Sequence, residues 1–351
     1  MLRTTLTPAN LGDPNLASRW QNLAAPGPPF RSWTWVGCLA HERYPDPILA
    51  QVHEGTNLIG LALFNRRRHR LGATLHLHES GDPALDSIFT EHNGPVAMPG
   101  RHGEVLAAIL QAAPRIASRV VLSGLDDAAL ASARTAGGII GPLQTRLAPF
   151  ARLAPGSAYL DTLSRNTRAQ IRRSDRAFAA AGPLTVKQAQ TVPEALDWLD
   201  RLLTLHRATW HARGIESGFA AAPVQRFHRA FLASAVPDGA ADLLHVTAGP
   251  RTIGYLYNLR GGPAHRNGSV FTYQSGFDYT GDPAEKPGLT CHMAALETAR
   301  IAGASEYDFL AGDAQYKRSL GNDTRPLHWF TWQPWLSAYA VPALARRVAG
   351  R

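Results

Sequence analysis

The chain has 351 residues, 45% of them hydrophobic, and a formal net charge of +9. That length and apolar content describe a globular protein of about two domains, and two cysteines, Cys38 and Cys291, exclude a disulfide framework or a cysteine zinc site. Lysine stands only at 187, 286 and 317, so the other 33 of the 36 basic residues are arginine, an excess open to phosphate-bearing ligands, RNA or an anionic surface.

No apolar run reaches the length of a membrane span, and the opening MLRTTLTPANLGDP lacks the apolar core of a signal peptide. A cytoplasmic protein with no integral membrane association is expected. Residues 1–30, rich in Pro, Asn and Ala, read as a loose lead-in. ILAQVHEGTNLIGLALFNRRRH then predicts two strands around a turn at Glu54-Gly55, and ATLHLHES a third. GEVLAAILQAA has helical spacing, RVVLSGL reads as a buried strand, and DDAALASARTAGG as a helix ending at glycine. TRLAPFARLAPGSAY, with two Ala-Pro steps, reads as a domain boundary.

Two long helices follow. In YLDTLSRNTRAQIRRSDRAFAAAG, Leu160, Leu163, Ile171 and Phe178 share one face. Arg165, Arg168, Arg172 and Arg176 form a stripe on roughly the opposite face. Four arginines together repel one another, so the stripe is either a solvated face paired with carboxylates from elsewhere or an anion site for phosphates. PEALDWLDRLLTLHRATWHARG gives the next helix, with Leu196, Leu199, Leu203, His206 and Trp210 on one face. His206 there is either a hydrogen-bonded core residue or, beside Trp210, the wall of a substrate cleft.

The second half then repeats the order of the first. LLHVTAGPRTIGYLYNLRG gives two strands around a Gly-Pro turn, SVFTYQSGFDY a third, PGLTCHMAALETARIAG a helix and EYDFLAG a strand. Two copies of one α/β unit are expected, over 31–150 and 151–335, with a basic tail over 336–351. The aromatic stretch WFTWQPW is expected to pack as core.

The succession RNTRAQIRRSDR, LHRATWHARG, YQSGFDY, PGL and YDFLAGDAQYKRSLG resembles the BioF2-like, cellulose-biosynthesis CelD-like acyltransferases of the GNAT superfamily. The match runs from about Tyr159 to Leu320, and FTEHNGPV (Phe89 to Val96) resembles a further block of that group. These proteins look related to the FemABX peptidyltransferases. The resemblance implies two tandem GNAT-like domains, each a mixed central β-sheet flanked by helices, the first on the acceptor side and the second holding the acyl donor.

For the donor, acyl-coenzyme A (acetyl-CoA), the resemblance implies Tyr273 and Ser275 along the pantetheine and Pro287, Gly288, Leu289 and Thr290 at the phosphates. The superfamily's phosphate loop is incomplete, because Glu285 occupies its first position, and an aminoacyl-tRNA donor stays open. Asp308 is expected to face the cleft as general base. Tyr316 would protonate the leaving thiolate and Lys317 would steady tetrahedral charge; the alternative is a structural Asp308–Lys317 bridge. His206 is set with the catalytic group. Glu91, His92, Asn93, Arg168, Arg172, Trp210 and Asp278 are expected on a small-molecule acceptor's side. Direct transfer is expected, with no metal and no DNA partner. The alternatives are a tRNA-dependent aminoacyltransferase and a non-catalytic binding protein on the same fold.

Overall fold

The structure is a computed structural model that describes residues 1–24, 27–70, 72–86, 90–261, 268–279 and 281–337. The chain divides into two compact units, Met1–Arg146 with Pro326–Arg351, and Leu147–Arg325. The expected tail lies, past Ser337, outside the described residues, as does Phe89 of the FTEHNGPV block.

The first unit begins with β1 (Leu2–Pro8), α1 (Pro14–Leu23) and α2 (Trp33–Arg43). These elements correct the expected loose lead-in. Asp13 caps α1 by accepting the Asn15 N–H, and Leu16 and Trp20 are buried. There follow β2 (Pro47–Glu54), β3 (Asn57–His69), β4 (Gly72–Leu77), β5 (Val96–Ala97), α3 (His102–Ala112), β6 (Arg119–Leu125), α4 (Asp127–Thr135) and β7 (Ile139–Ile140). Gly55, at φ +60°, makes the turn between β2 and β3 as the sequence requires. The unit's strand order is β1-β2-β3-β4-β6, completed by the C-terminal part of β14 (Asp323–Gln333). The expected core packing of WFTWQPW holds for its strand part, with Phe330 and Trp332 of β14 buried in one cluster with Val120 and Leu122. β4 and β6 are parallel over three pairs only, Thr74–His76 against Arg119–Val121.

The second unit opens inside the expected boundary segment, which is itself a strand, β8 (Gln144–Arg152). After it come α5 (Arg165–Ala179), β9 (Leu184–Gln188), α6 (Val192–His211), α7 (Ala222–Ala235), β10 (Ala241–Ala248), β11 (Arg251–Arg260), β12 (Ser269–Phe277), α8 (Pro287–Ile301), β13 (Glu306–Asp308) and α9 (Gln315–Leu320). The strand order is β8-β13-β12-β11-β10-β9. The predicted apolar face of α5 holds: Ile171 and Phe178 enter a core with Leu256, Cys291, Leu296 and Tyr307. Both units therefore carry the same kernel, an antiparallel hairpin, a third strand, a helix, and a fourth strand parallel to the third. The mixed α/β fold in two tandem copies is as the sequence led one to expect.

Candidate active site

In the second unit the parallel ladder between β12 and β13 also holds only three pairs, Ser269–Phe271 against Glu306–Asp308. Beyond Phe271 strand β12 runs on beside β11 alone, as far as Phe277. Past Phe271 the edge of β12 carries no partner strand among the described residues, although the Ser275 N–H meets Gln274 Oε1 at 3.3 Å, and such an edge is a binding opportunity. The register between β11 and β12 slips after Tyr257, leaving Tyr273 as the extra residue of a bulge. Its ring turns inward onto Phe219, His228 and Tyr257.

Helix α6 lies close on this edge because Gly276 carries no side chain. A Cβ there would sit 2.3 Å from the Leu202 carbonyl oxygen. Both ring nitrogens of His206 are engaged, Nδ1 with the Ser275 carbonyl oxygen at 3.0 Å and Nε2 with Ser217 Oγ at 2.7 Å. The carbonyl can only accept, so Nδ1 carries the proton and Nε2 receives the Ser217 hydroxyl. Burial lowers the imidazole's pKa. With both nitrogens committed, the ring ties α6 to Ser275 and Ser217. Trp210 is half-buried beside it, at 5.8 Å between ring centroids.

Helix α8 starts at Pro287 with no side-chain cap, whereas α5 and α6 are capped by Ser164 and Thr191. Gly288 and Leu289 are half-exposed there, and N–H groups in the first turn have no partner within a helix. Thr290 departs from its expected place at the phosphates. It is only 2% exposed and bonds Ser174 Oγ at 2.9 Å and Asp175 Oδ1 at 2.8 Å, which ties α8 to α5. Glu285, the residue out of pattern, is held by Arg251 through two hydrogen bonds of 2.7 and 2.8 Å. A bidentate guanidinium largely neutralises that carboxylate beside the helix start. Asp278, half-buried, closes the end of β12 by donating its backbone N–H to the Ile253 carbonyl.

The segment after β13 is a strained turn. Asp308 is fully buried at 0% exposure, accepts the Leu310 N–H at 2.7 Å, and has Arg325 Nε at 3.7 Å. Leu310 sits at φ +61°, a region a leucine adopts only when its surroundings compel it. Lys317 Nζ donates to the carbonyls of Leu310 and Ala311, at 3.1 and 2.8 Å. Asp308 is thus buried with Arg325 as one ion-pair partner, while Lys317 fastens the turn's carbonyls. Tyr316 lies flat on His292, ring centroids 4.5 Å apart and 8° between planes. Burial holds its phenol well above the usual tyrosine range.

Residues 165–318 match the model described as an acetyltransferase (GNAT) domain. The second unit contains a GNAT-type acetyltransferase domain. No curated protein matches the chain. FemX is similar over 93% of this chain and 96% of its own, with TM-score 0.60 and 11% identity. L-PGS from Bacillus licheniformis is similar over 97% and 98%, with TM-score 0.58 and 14% identity. At such identity the likeness speaks for the fold.

On the outer face of the GNAT domain, the arginine stripe is partly spent on local contacts. Arg168 donates to the carbonyls of Asp161 and Leu163 at 3.0 and 2.8 Å. Arg172 stays exposed, 3.9 Å from Asp161. In the first unit, Glu91, His92 and Asn93 are buried. Asn93 fills the parting of β4 and β6: its backbone N–H donates to the Gly124 carbonyl at 3.0 Å and its side-chain amide to the Leu77 carbonyl at 3.0 Å. Its Oδ1 accepts the Gly94 N–H at 2.7 Å and lies 2.7 Å from His78 Nδ1. Gly124, at φ +69°, is required by this plug, since a Cβ there would fall 2.6 Å from the Thr90 carbonyl oxygen. Asn93 thus plugs the parting of the two strands with its own hydrogen bonds. Nearby, Glu79 accepts the Ser123 hydroxyl at 2.8 Å, and burial with the Asp86 charge pushes its pKa up to about 7.

Sequence reasoning missed Arg251, His292, Glu79 and the plug. Among the described residues no cluster has the makings of a metal site, and no helix is long and apolar enough to cross a membrane.

Proposed function

We propose that the protein is an acyl-coenzyme-A-dependent acyltransferase of the BioF2-like, CelD-like kind, transferring an acyl group directly to an amine or hydroxyl of a small-molecule acceptor. One observation carries the reading: the open edge of β12 from Thr272 to Phe277, followed at once by the uncapped start of α8. The pantetheine arm of coenzyme A carries amides that can pair with such an edge as an added strand would. Its pyrophosphate suits the N–H groups and positive dipole end at Gly288 and Leu289. Lys286 is exposed beside them, and Arg251 offsets the charge of Glu285.

In the transfer, the acceptor nitrogen attacks the thioester carbonyl, a C–N bond forms and the C–S bond breaks. The departing thiolate takes a proton from the Tyr316 phenol, which is regained from water, and the proton released by the nitrogen passes to water. A phenol whose pKa is raised is fully protonated at neutral pH, as a general acid must be. Asp308, Lys317 and Arg325 hold the turn that leads into Tyr316. The arginines left exposed on α5 favour a second reading, an aminoacyl-tRNA donor on the same fold.

The test is a panel of acyl-CoAs with primary-amine and hydroxyl acceptors, read by release of free thiol. Acceptor-dependent thiol release supports the proposal. Its absence throughout, with deacylation of charged tRNA by the protein, moves the donor to tRNA. Neither activity leaves a binding protein on this fold.

A further inference from the structure

His292, in the second turn of α8, is 1% exposed, and neither ring nitrogen has a hydrogen-bond partner. Its ring meets Phe277 edge-on at 5.4 Å and Phe309 edge-on at 5.9 Å. Phe277 ends β12 and Phe309 follows β13 directly. The imidazole therefore stands between the two strands where they have already parted. Burial, with Lys317 nearby, pushes its pKa down to about 3, so the ring is neutral, with one N–H to donate and one lone pair to accept.

Buried polar atoms are nearly always paired, and one left unpaired carries its desolvation cost with no return. Phenylalanine would fill the same space among these aromatic rings without that cost. The stack on Tyr316 does not supply the missing partner, because rings lying flat on one another at 8° do not bond through their edges. The same geometry excludes direct proton transfer from the phenol to the imidazole. What remains is a partner that arrives from outside and offers both a carbonyl oxygen and an amide N–H.

We infer that His292 is a binding contact for the pantetheine or thioester end of the acyl donor, its nitrogens paired by the donor in the strand wedge. This rests on the donor assignment made above. The test compares wild type with His292→Phe, which keeps the ring stack and removes both nitrogens. Isothermal titration with acetyl-CoA is expected to show binding weaker by roughly tenfold or more, the scale of one to two lost hydrogen bonds. The variant should melt at or above the wild-type temperature. Equal affinity in the two proteins would make His292 a core filler and overturn the inference while leaving the donor assignment intact. Failure of wild type to bind acetyl-CoA would remove both. Should His292→Phe not fold, wild type labelled with ¹⁵N-histidine decides the matter. Acetyl-CoA must move one buried imidazole's nitrogen resonances, and unmoved buried resonances under saturating acetyl-CoA overturn it.

Discussion

Replacing Asp308 by alanine separates a structural carboxylate from a catalytic one. Removing the carboxylate strands the buried Leu310 N–H, at a cost of about 1–3 kcal/mol. The lost ion pair adds no more than about 1 kcal/mol, because Arg325 is a third exposed, lies 3.7 Å away, and keeps Glu306 and the face of Phe150. The total is about 1–4 kcal/mol. At about 2–4 °C per kcal/mol for a unit of this size, the melting temperature should fall by roughly 2–16 °C. The assay is differential scanning calorimetry with single-turnover acyl transfer on the same preparation, normalised to folded protein. The expectation is a clear melting drop with near-normal chemistry. An unmoved melting temperature with turnover reduced about 10²-fold or more would refute this and restore Asp308 as general base.

Tyr316→Phe should lower turnover about 10²-fold or more while acetyl-CoA affinity stays near wild type, and the wild-type rate should show no fall from phenol ionisation up to about pH 10; an early alkaline fall abolished by the variant would contradict the raised pKa. Arg251→Ala should weaken acetyl-CoA binding roughly tenfold by unmasking Glu285, with partial rescue in high salt; unchanged affinity would take Glu285 away from the phosphates. Glu79 has its folded pKa, about 7, above its ordinary 4.5, so the stability it gives is complete below pH 4.5 and is lost as pH rises through 7, about 3 kcal/mol in all. Glu79→Gln should flatten that part of the stability–pH curve, and a curve parallel to wild type would disprove the shift.

The repeated kernel was legible because both halves spell it with the same order, a glycine turn between apolar strands, a third strand and then an apolar helix. Gly55 and Gly249 both adopt positive φ as such turns require. The first two helices were hidden. Their apolar anchors, Trp20, Trp35 and Leu39, sit among Pro, Asn and Ala, and tertiary burial rather than propensity fixes them. The core packing of the closing aromatic stretch was legible, but its strand form was not, because that depends on pairing with residues about 200 positions earlier, His328 with Leu125 among them. At the site, the chemistry-bearing segment was found but its contacts were not. Asp308 and Lys317 lie nine residues apart and of opposite charge, which invites a bridge; only the turn geometry shows that each also bonds to backbone. Arg251 lies 34 positions from Glu285, a pairing no local pattern announces.

The central claim is that the open edge of β12 and the start of α8 bind an acyl-CoA. Isothermal titration of the full chain with acetyl-CoA tests it most directly. The account predicts saturable binding at one site per chain, weakened by salt as expected for a pyrophosphate held at a helix start. No binding by acetyl-CoA or any longer acyl-CoA, with saturable binding of charged tRNA, would contradict it.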